Sequence, residues 1–428
     1  MATWLSIKQK WKRNLRRLKN SPKAVRVRHI NLFLAMILSL VGGVVIALTA
    51  AWLLTPQLNV GKQPTSPADL TRLALTVAAG VGGVVALVVA YRRQRDLEQG
   101  RFVQDFGAAA KQLGDPDVAV RLAGVYAMAG VADQTSNLRT QQCIDVLCAY
   151  LRLPYSPELG NNHQTALTLK RPVPQTPGSE EELTFRYRQN DKEVRQTIVR
   201  VIAAHLREKS ARSWSANDFD FSGAHLEDAN FHATTFAGNS TKFDGATFSG
   251  KNTGFTGATF SGKTTWFTGA TFSSEITWFD GATFSGKNTW FDGATFSSET
   301  TWFDGATFIS ETTEFGKATF SGDRTSFIEA TFSSDRTSFS EATFSGKNTE
   351  FGEATFSSDR TSFEGATFSG AATSFGDASF GSGRVSFEGP QAWDPAPIFD
   401  WDPSIDGKTK PVSVEPQNWP PVPDGFER

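Results

Sequence analysis

Cysteine, methionine and tyrosine are nearly absent from this chain of 428 residues, which holds 2 Cys, 3 Met and 5 Tyr. Two thiols cannot build a disulfide framework, and they carry no sign of secretion. The 5 histidines are also sparse, and neither His163 nor His205 has a partner at ligand spacing, so no metal site is expected. No phosphate loop, nucleophile–base pair or acid–base pair stands out, so the chain reads as non-enzymatic and without a cofactor or small-molecule substrate. Net charge is missing as well, with 43 basic residues against 44 acidic.

What is present is apolar and unevenly spread. Hydrophobic residues make up 39 % of the chain, close to the globular norm, which excludes wholesale disorder. Phenylalanine reaches 35, and 28 of these lie between Phe221 and Phe387, the mark of a repeat. The near-zero charge is a sum of opposites. Met1 to Ile30 holds ten basic residues and no acidic one, whereas Ser215 to Pro390 holds 22 acidic and 10 basic, a net of −12.

Residues 32–54 form an uncharged run of 23, enough at about 1.5 Å per residue to cross a hydrocarbon core of about 30 Å. A second uncharged run, 73–91, ends at Arg92, Arg93 and Arg95. Basic residues crowd the outer flanks and are sparse in the Pro-rich link between the runs. The expectation is a transmembrane hairpin over 31–95 in the cell membrane, with both termini cytoplasmic. Both runs contain V-G-G-V-V, at 41–45 and 81–85, which would let the two helices approach closely. In 1–30, Trp4, Trp11, Leu15 and Leu18 recur at helical spacing among basic residues. Lys8, Lys10, Lys12, Arg13, Arg16 and Arg17 are the expected contacts to an anionic leaflet.

The next region, 96–210, reads as a small cytoplasmic helical domain. Gly114-Asp115-Pro116-Asp117 breaks one helix and caps another. A third helix is expected over 141–153 and a fourth over 192–209, with a loop at 154–190 between them. Cys143 and Cys148, five apart on one helix, point about 140° from each other and read as two reduced core thiols.

From Phe243 to Phe387 a Phe recurs every twelve residues, and a second series runs from Phe248 to Phe380 at the same period. Ala stands two before each Phe of the second series, and Thr two before most of the first. Small and large residues two apart share one side of an extended strand, with Gly, Ser and Asp turning the corners. The spacing predicts an all-β solenoid over 215–388, its axis filled by Phe, Ala and Thr. F-S-G-A-H-L-E-D-A-N-F at 221–231 resembles the pentapeptide-repeat family, A-(D/N)-(L/F)-x-x. That resemblance implies a right-handed quadrilateral β-helix. This chain departs from the family pattern by a two-residue insertion every twelve residues. Four faces then give 24 residues per coil, with insertions such as Lys263-Thr264 looped out at corners; the rival is a flat coil of twelve. The anchor followed by L-G-D-P-D-V-A-V-R-L-A-G-V-Y-A-M and V-L-C-A-Y-L-R also looks like membrane-anchored bacterial members of the family.

Trp266, Trp278, Trp290 and Trp302 each precede a core Phe and point outward. Together they are expected to form one aromatic stripe, the candidate surface for an unidentified protein or a second copy. The acidic balance offers an alternative drawn from the resemblance, since some soluble pentapeptide-repeat proteins imitate DNA and bind gyrase. Lysines and arginines interrupt the acidic columns here, so nucleic-acid mimicry ranks second. Residues 389–428, rich in Pro and Trp, are expected to cap the open end of the solenoid.

Overall fold

A computed structural model of the chain describes residues 67–135, 138–157, 166–172, 180–186, 191–402 and 408–423, together with Val45 and Thr49. The chain divides into two compact units, Met1–Arg101 and Phe102–Arg428.

In the first unit helix α1 begins at Pro67, and it runs to Leu113. The second expected span, 73–91, lies inside α1, which does not stop at the arginines beyond it. The following stretch, Q-R-D-L-E-Q, consists of good helix formers apart from Asp96 and has no Pro. Among the described residues, no helix is long and apolar enough to cross a membrane. The first expected span, 32–54, and the basic segment with Lys8, Lys10, Lys12, Arg13, Arg16 and Arg17 lie outside the described residues. Around Gly82 and Gly83 nothing described lies within 4 Å of an added Cβ, so the expected glycine contact is not among the described packing.

The second unit opens with helices α2 (Val118–Gln134) and α3 (Leu138–Arg152). Asp117 caps α2 by accepting from the Ala119 N–H at 2.7 Å. Cys143 and Cys148 are buried and unbridged, and burial pushes their thiols up to about 11 and about 12. The expected loop at 154–190 is not wholly irregular. It contains an exposed antiparallel ribbon, β1 (Ala166–Pro172) on β2 (Glu180–Arg186), paired from Ala166↔Arg186 to Pro172↔Glu180. Alternating apolar residues (Leu167, Leu169, Leu183, Phe185) in strand-forming sequence account for it. Helix α4 (Asp191–Leu206) follows.

The rest of the unit is a right-handed β-solenoid with Thr/Phe repeats, consistent with a pentapeptide-repeat fold. Four parallel sheets of nine, eight, six and seven strands form its sides. One coil passes through Thr264–Trp266 on face 1, Thr271–Phe272 on face 2, Ile276–Trp278 on face 3 and Thr283–Phe284 on face 4. It returns to face 1 at Asn288, directly over Thr264. The coil therefore has 24 residues, and the flat twelve-residue rival is excluded. The insertions do not loop out, contrary to expectation. Thr264 sits in the face 1 ladder between Ser240 and Asn288, and its N–H donates to the Asn239 carbonyl at 3.1 Å. Placing both residues at a corner would orphan backbone groups that the ladder satisfies. Most strands of faces 1 and 3 are accordingly three residues long, against two for most on faces 2 and 4.

The axis is a lattice of rings. Phe243, Phe267 and Phe291 stack at 4.8 and 4.7 Å with interplanar angles of 5° and 2°. Phe255, Phe279 and Phe303 form a second column at 4.9 and 4.7 Å. Rings of the two columns meet edge to face, as Phe267 does with Phe279 at 5.9 Å and 87°. Both geometries suit the aromatic quadrupole, so each ring gains beyond its burial. The Ala positions beside them, Ala246 to Ala366, are 0 % exposed and leave no room for a larger residue.

Most corners that hold Ser also carry a buried hydroxyl pair, Thr361 beside the Ser382 corner being an exception. Thr253 meets Ser274 at 2.7 Å, Thr277 meets Ser298 at 2.8 Å and Thr289 meets Ser310 at 2.9 Å. Elsewhere the same corner place holds Gly. A Cβ on Gly322 would stand 1.9 Å from the Ser298 carbonyl oxygen, so only Gly fits that backbone. A second corner place is left-handed throughout; Gly281 has φ 58°, and Glu329 holds the same conformation at 57°.

The parallel ladders extend beyond 388. Ala392–Trp393 pairs with Thr367–Phe368 on face 2, and Val414–Glu415 pairs with Val385–Ser386 on face 1. Phe399 stacks on Phe375 at 4.7 Å, twelve residues after Phe387 and in step with the series. Trp401 and Trp419 lie against Phe399 at 4.7 and 5.0 Å. The C-terminal segment thus adds to the solenoid as well as covering its last coil.

Candidate functional site: the outward tryptophan columns

A 24-residue coil places residues twelve apart on opposite faces, and this separates the four tryptophans. Trp266 and Trp290 are register partners on face 1, with rings 5.3 Å apart and 19° from parallel. Trp278 and Trp302 are register partners on face 3. The expected single stripe is therefore two pairs on opposite sides of the rod. All four are half-buried, their neighbours Thr265, Thr277, Thr289 and Thr301 taking the inward position.

Each column has charged or small neighbours in the next coil. On face 1, Lys242 precedes Trp266, with its amine 5.4 Å from the ring centre, and Glu314 follows Trp290. On face 3, the Arg324 guanidinium lies 4.6 Å over Trp302 and donates to Glu350 at 2.6 Å. Cations over indole faces are attracted by the ring quadrupole. At the other end of face 3, the residue in register with Trp278 is Gly254. With no side chain there, an open groove of about 470 Å³ remains, lined by Asp228, Asn230, His232, Lys251, Thr256 and Trp278 among others. Sequence reading passed over Gly254. The signal was G-F at 254–255 where later units read W-F.

Beside these columns run corner carboxylates. Asp280 and Asp304 share a corner column, while Asp292 lies on the opposite side. Burial, followed by the charge of Asp304, pushes the Asp280 carboxyl up to about 6. Its Oδ1 is buried without a hydrogen-bond partner. Asp304 Oδ1 instead accepts from the Ser326 hydroxyl and from the Ile328 N–H at 3.1 Å. Glu314 is also raised, chiefly by burial, although Arg336 at 3.5 Å opposes the shift.

Cross-coil ion pairs neutralise much of the acidic surface. Lys287 meets Glu311 at 3.5 Å, Lys347 meets Asp323 at 2.6 Å and Lys317 meets Glu341 at 3.6 Å. Among the described residues there is no group of three metal-ligating side chains. No protein-family model, no curated protein and no solved structure matches this chain.

Proposed function

We propose that the protein is a non-enzymatic scaffold of the pentapeptide-repeat kind, anchored to the cell membrane through its N-terminal region. Both termini lie in the cytoplasm, where the solenoid serves as a rod for a protein partner or a second copy. The observation that carries this reading is the pair of half-buried tryptophan columns on opposite faces of a rigid, ring-filled core. Aromatic side chains at such positions are the usual anchors of protein contacts. The exposed Val84, Leu87 and Val89 on α1 support the anchor, because apolar side chains without protein cover suit a lipid environment.

DNA mimicry, with an enzyme such as gyrase as target, has weaker support. A mimic needs an uninterrupted anionic surface, and here lysines and arginines from adjacent coils pair with the carboxylates.

The test is affinity capture from detergent-solubilised membranes, comparing the full chain, a chain ending at residue 210, and variants in each tryptophan pair. Trp266→Ser/Trp290→Ser or Trp278→Ser/Trp302→Ser should lose the partner held by the full chain. A partner retained by both double variants and by the truncated chain would overturn the reading.

A further inference from the structure

We propose that the groove over Trp278 is a binding site for an arginine side chain from a basic, extended partner segment. This rests on the rod being a protein-binding surface, and it names where and what the rod grips. The argument starts from a regularity within the molecule. Trp266 is covered by the Lys242 amine, and Trp302 by the Arg324 guanidinium. The exposed end of the face 3 column, next to Trp278, has Gly254 where face 1 has Lys242 in the coil before its first Trp. The molecule supplies its own cation at two tryptophans, from the coil before at Trp266 and from the coil after at Trp302, whereas the register partner of Trp278 in the coil before is Gly254.

The surroundings suit a guanidinium more than a neutral ring. Asp228, the Asn230 carboxamide and Thr256 line the groove and carry acceptor oxygens. Some of this capacity is already used. Asp228 Oδ1 accepts from the Lys251 and Asn252 N–H groups at 2.7 and 3.3 Å, its Oδ2 accepts from Gln196 Nε2 at 3.4 Å and lies 3.6 Å from the Lys192 amine, and Asn230 Oδ1 accepts from the His232 N–H at 2.9 Å. Asp228 is therefore near its capacity of about four donors, and the acceptors left for a guanidinium are the second lone pair of the Asn230 carboxamide oxygen and the Thr256 hydroxyl. Two cations oppose the incoming one: Lys192, already paired with Asp228, and the Lys251 side chain, which is exposed so that its repulsion is screened by solvent. The net −12 over 215–390 adds a longer-range bias toward basic partners. An arginine in the groove would reproduce one part of the arrangement seen at Trp302, a planar cation over the indole.

Gly254 provides a direct test, because its backbone accepts a side chain. A Cβ there would meet only the Asn230 Oδ1, at 3.8 Å. Gly254→Lys should therefore place a resident amine over Trp278, as Lys242 does over Trp266, and close the site. The probe is a blocked decapeptide alternating arginine and glycine, titrated against the full chain in detergent by fluorescence polarisation. Trp278→Ser and Gly254→Lys should each weaken binding about tenfold, since a desolvated cation–π contact of up to about 2 kcal/mol corresponds to a factor of up to about 30. Trp290→Ser, on the opposite face, should change it less than twofold. Equal binding by all four proteins would overturn the site, as would equally tight binding of decapeptides carrying glutamine or tyrosine in place of arginine. Unchanged melting of Gly254→Lys and Trp278→Ser excludes misfolding as the cause of a loss. If membrane capture depends on the tryptophans but the arginine peptide does not bind, only this site assignment falls. If the peptide behaves as expected and nothing is captured, the scaffold reading falls and the site remains.

Discussion

Thr277 and Thr301 are register partners on face 3, one coil apart, with the same inward direction and full burial. Their hydroxyls differ. Thr277 meets Ser298 at 2.8 Å, whereas the residue at the matching place for Thr301 is Gly322, and Thr301 Oγ1 has no partner. A buried hydroxyl without a hydrogen bond carries a desolvation cost that its partnered neighbour recovers. Thr277→Val should therefore lower stability by about 1 kcal/mol, because it removes the Thr277–Ser298 bond and leaves Ser298 only its longer bond to the Phe272 carbonyl at 3.4 Å. Thr301→Val should be neutral or stabilising, since it replaces an orphaned polar atom with a methyl. Paired thermal melts of the two variants check this, and equal losses would show that Thr301 Oγ1 is satisfied in solution. No reading of the repeat alone would rank these two threonines, because their sequence contexts are nearly the same.

At the scale of elements, the junction between helix α4 and the first coil is bonded by Lys192, Gln196 and one buried arginine. Arg195 donates to the Leu151 carbonyl and to those of Tyr150 at 3.3 Å and His225 at 3.4 Å. Asp191 lies 3.6 Å away, and the Tyr155 ring sits 4.6 Å from the guanidinium. One side chain thus joins the end of α3, helix α4 and the first strand of face 2. Arg195→Ala should cost about 3 kcal/mol, with Arg195→Lys recovering little, because an amine cannot reach three carbonyls with a planar fork. Urea titration of the full chain, followed by helical ellipticity, measures the difference. A loss below about 0.5 kcal/mol, typical of a surface residue, would refute the staple role.

Much of this scale was legible in advance. The twelve-residue Phe register dictates strands and a filled axis, and Asp117 marks the start of α2. The 24-residue coil was one of two solutions that the spacing allows. Other features were hidden for identifiable reasons. Arg195 falls among the apolar positions of α4, at the i, i+3, i+4 and i+7 spacing shared with Ile198, Val199 and Ile202, but charge argues for the surface in any periodicity count. The insertions looked like loops because five-residue steps set the reference, while backbone hydrogen bonding favoured longer strands. The tryptophans looked like one stripe because spacing along the chain does not give the number of residues per coil. Phe399 kept the twelve-residue step, but its Pro-rich surroundings masked it.

At the scale of the molecule, the last coil determines whether the solenoid stays a single body. Its end is covered by Trp393, Trp401 and Trp419 around Phe399, and Lys408 ties Asp377 to Asp400 at 2.9 and 2.7 Å. Removal of residues 390–428 would expose the edges of faces 1, 2 and 3 along with the rings of Phe375 and Phe387. Open parallel edges with apolar rings pair with other chains. The truncated protein should therefore self-associate, seen as a faster sedimenting species. The milder Trp401→Ser/Trp419→Ser variant should lower the melting temperature first. A truncated chain that sediments unchanged would show that the cap is dispensable.

The corner that alternates between Gly and Ser has a consequence for how this rod can grow. Read every twelve residues from 262, it runs Gly, Ser, Gly, Ser, then Ser again at 310, and resumes with Gly at 322. Two units make one coil, so a single unit gained or lost carries everything after it halfway around the axis. The doubled Ser at 298 and 310 has the form of one such odd step. Before it, the corner that follows face 4 carries Gly; after it, Gly appears at the corner that follows face 2. Duplication in whole coils lengthens the rod and keeps each column intact. Duplication by half a coil exchanges the two sides, a change of parity that offers a second partner a different face without altering a single core residue.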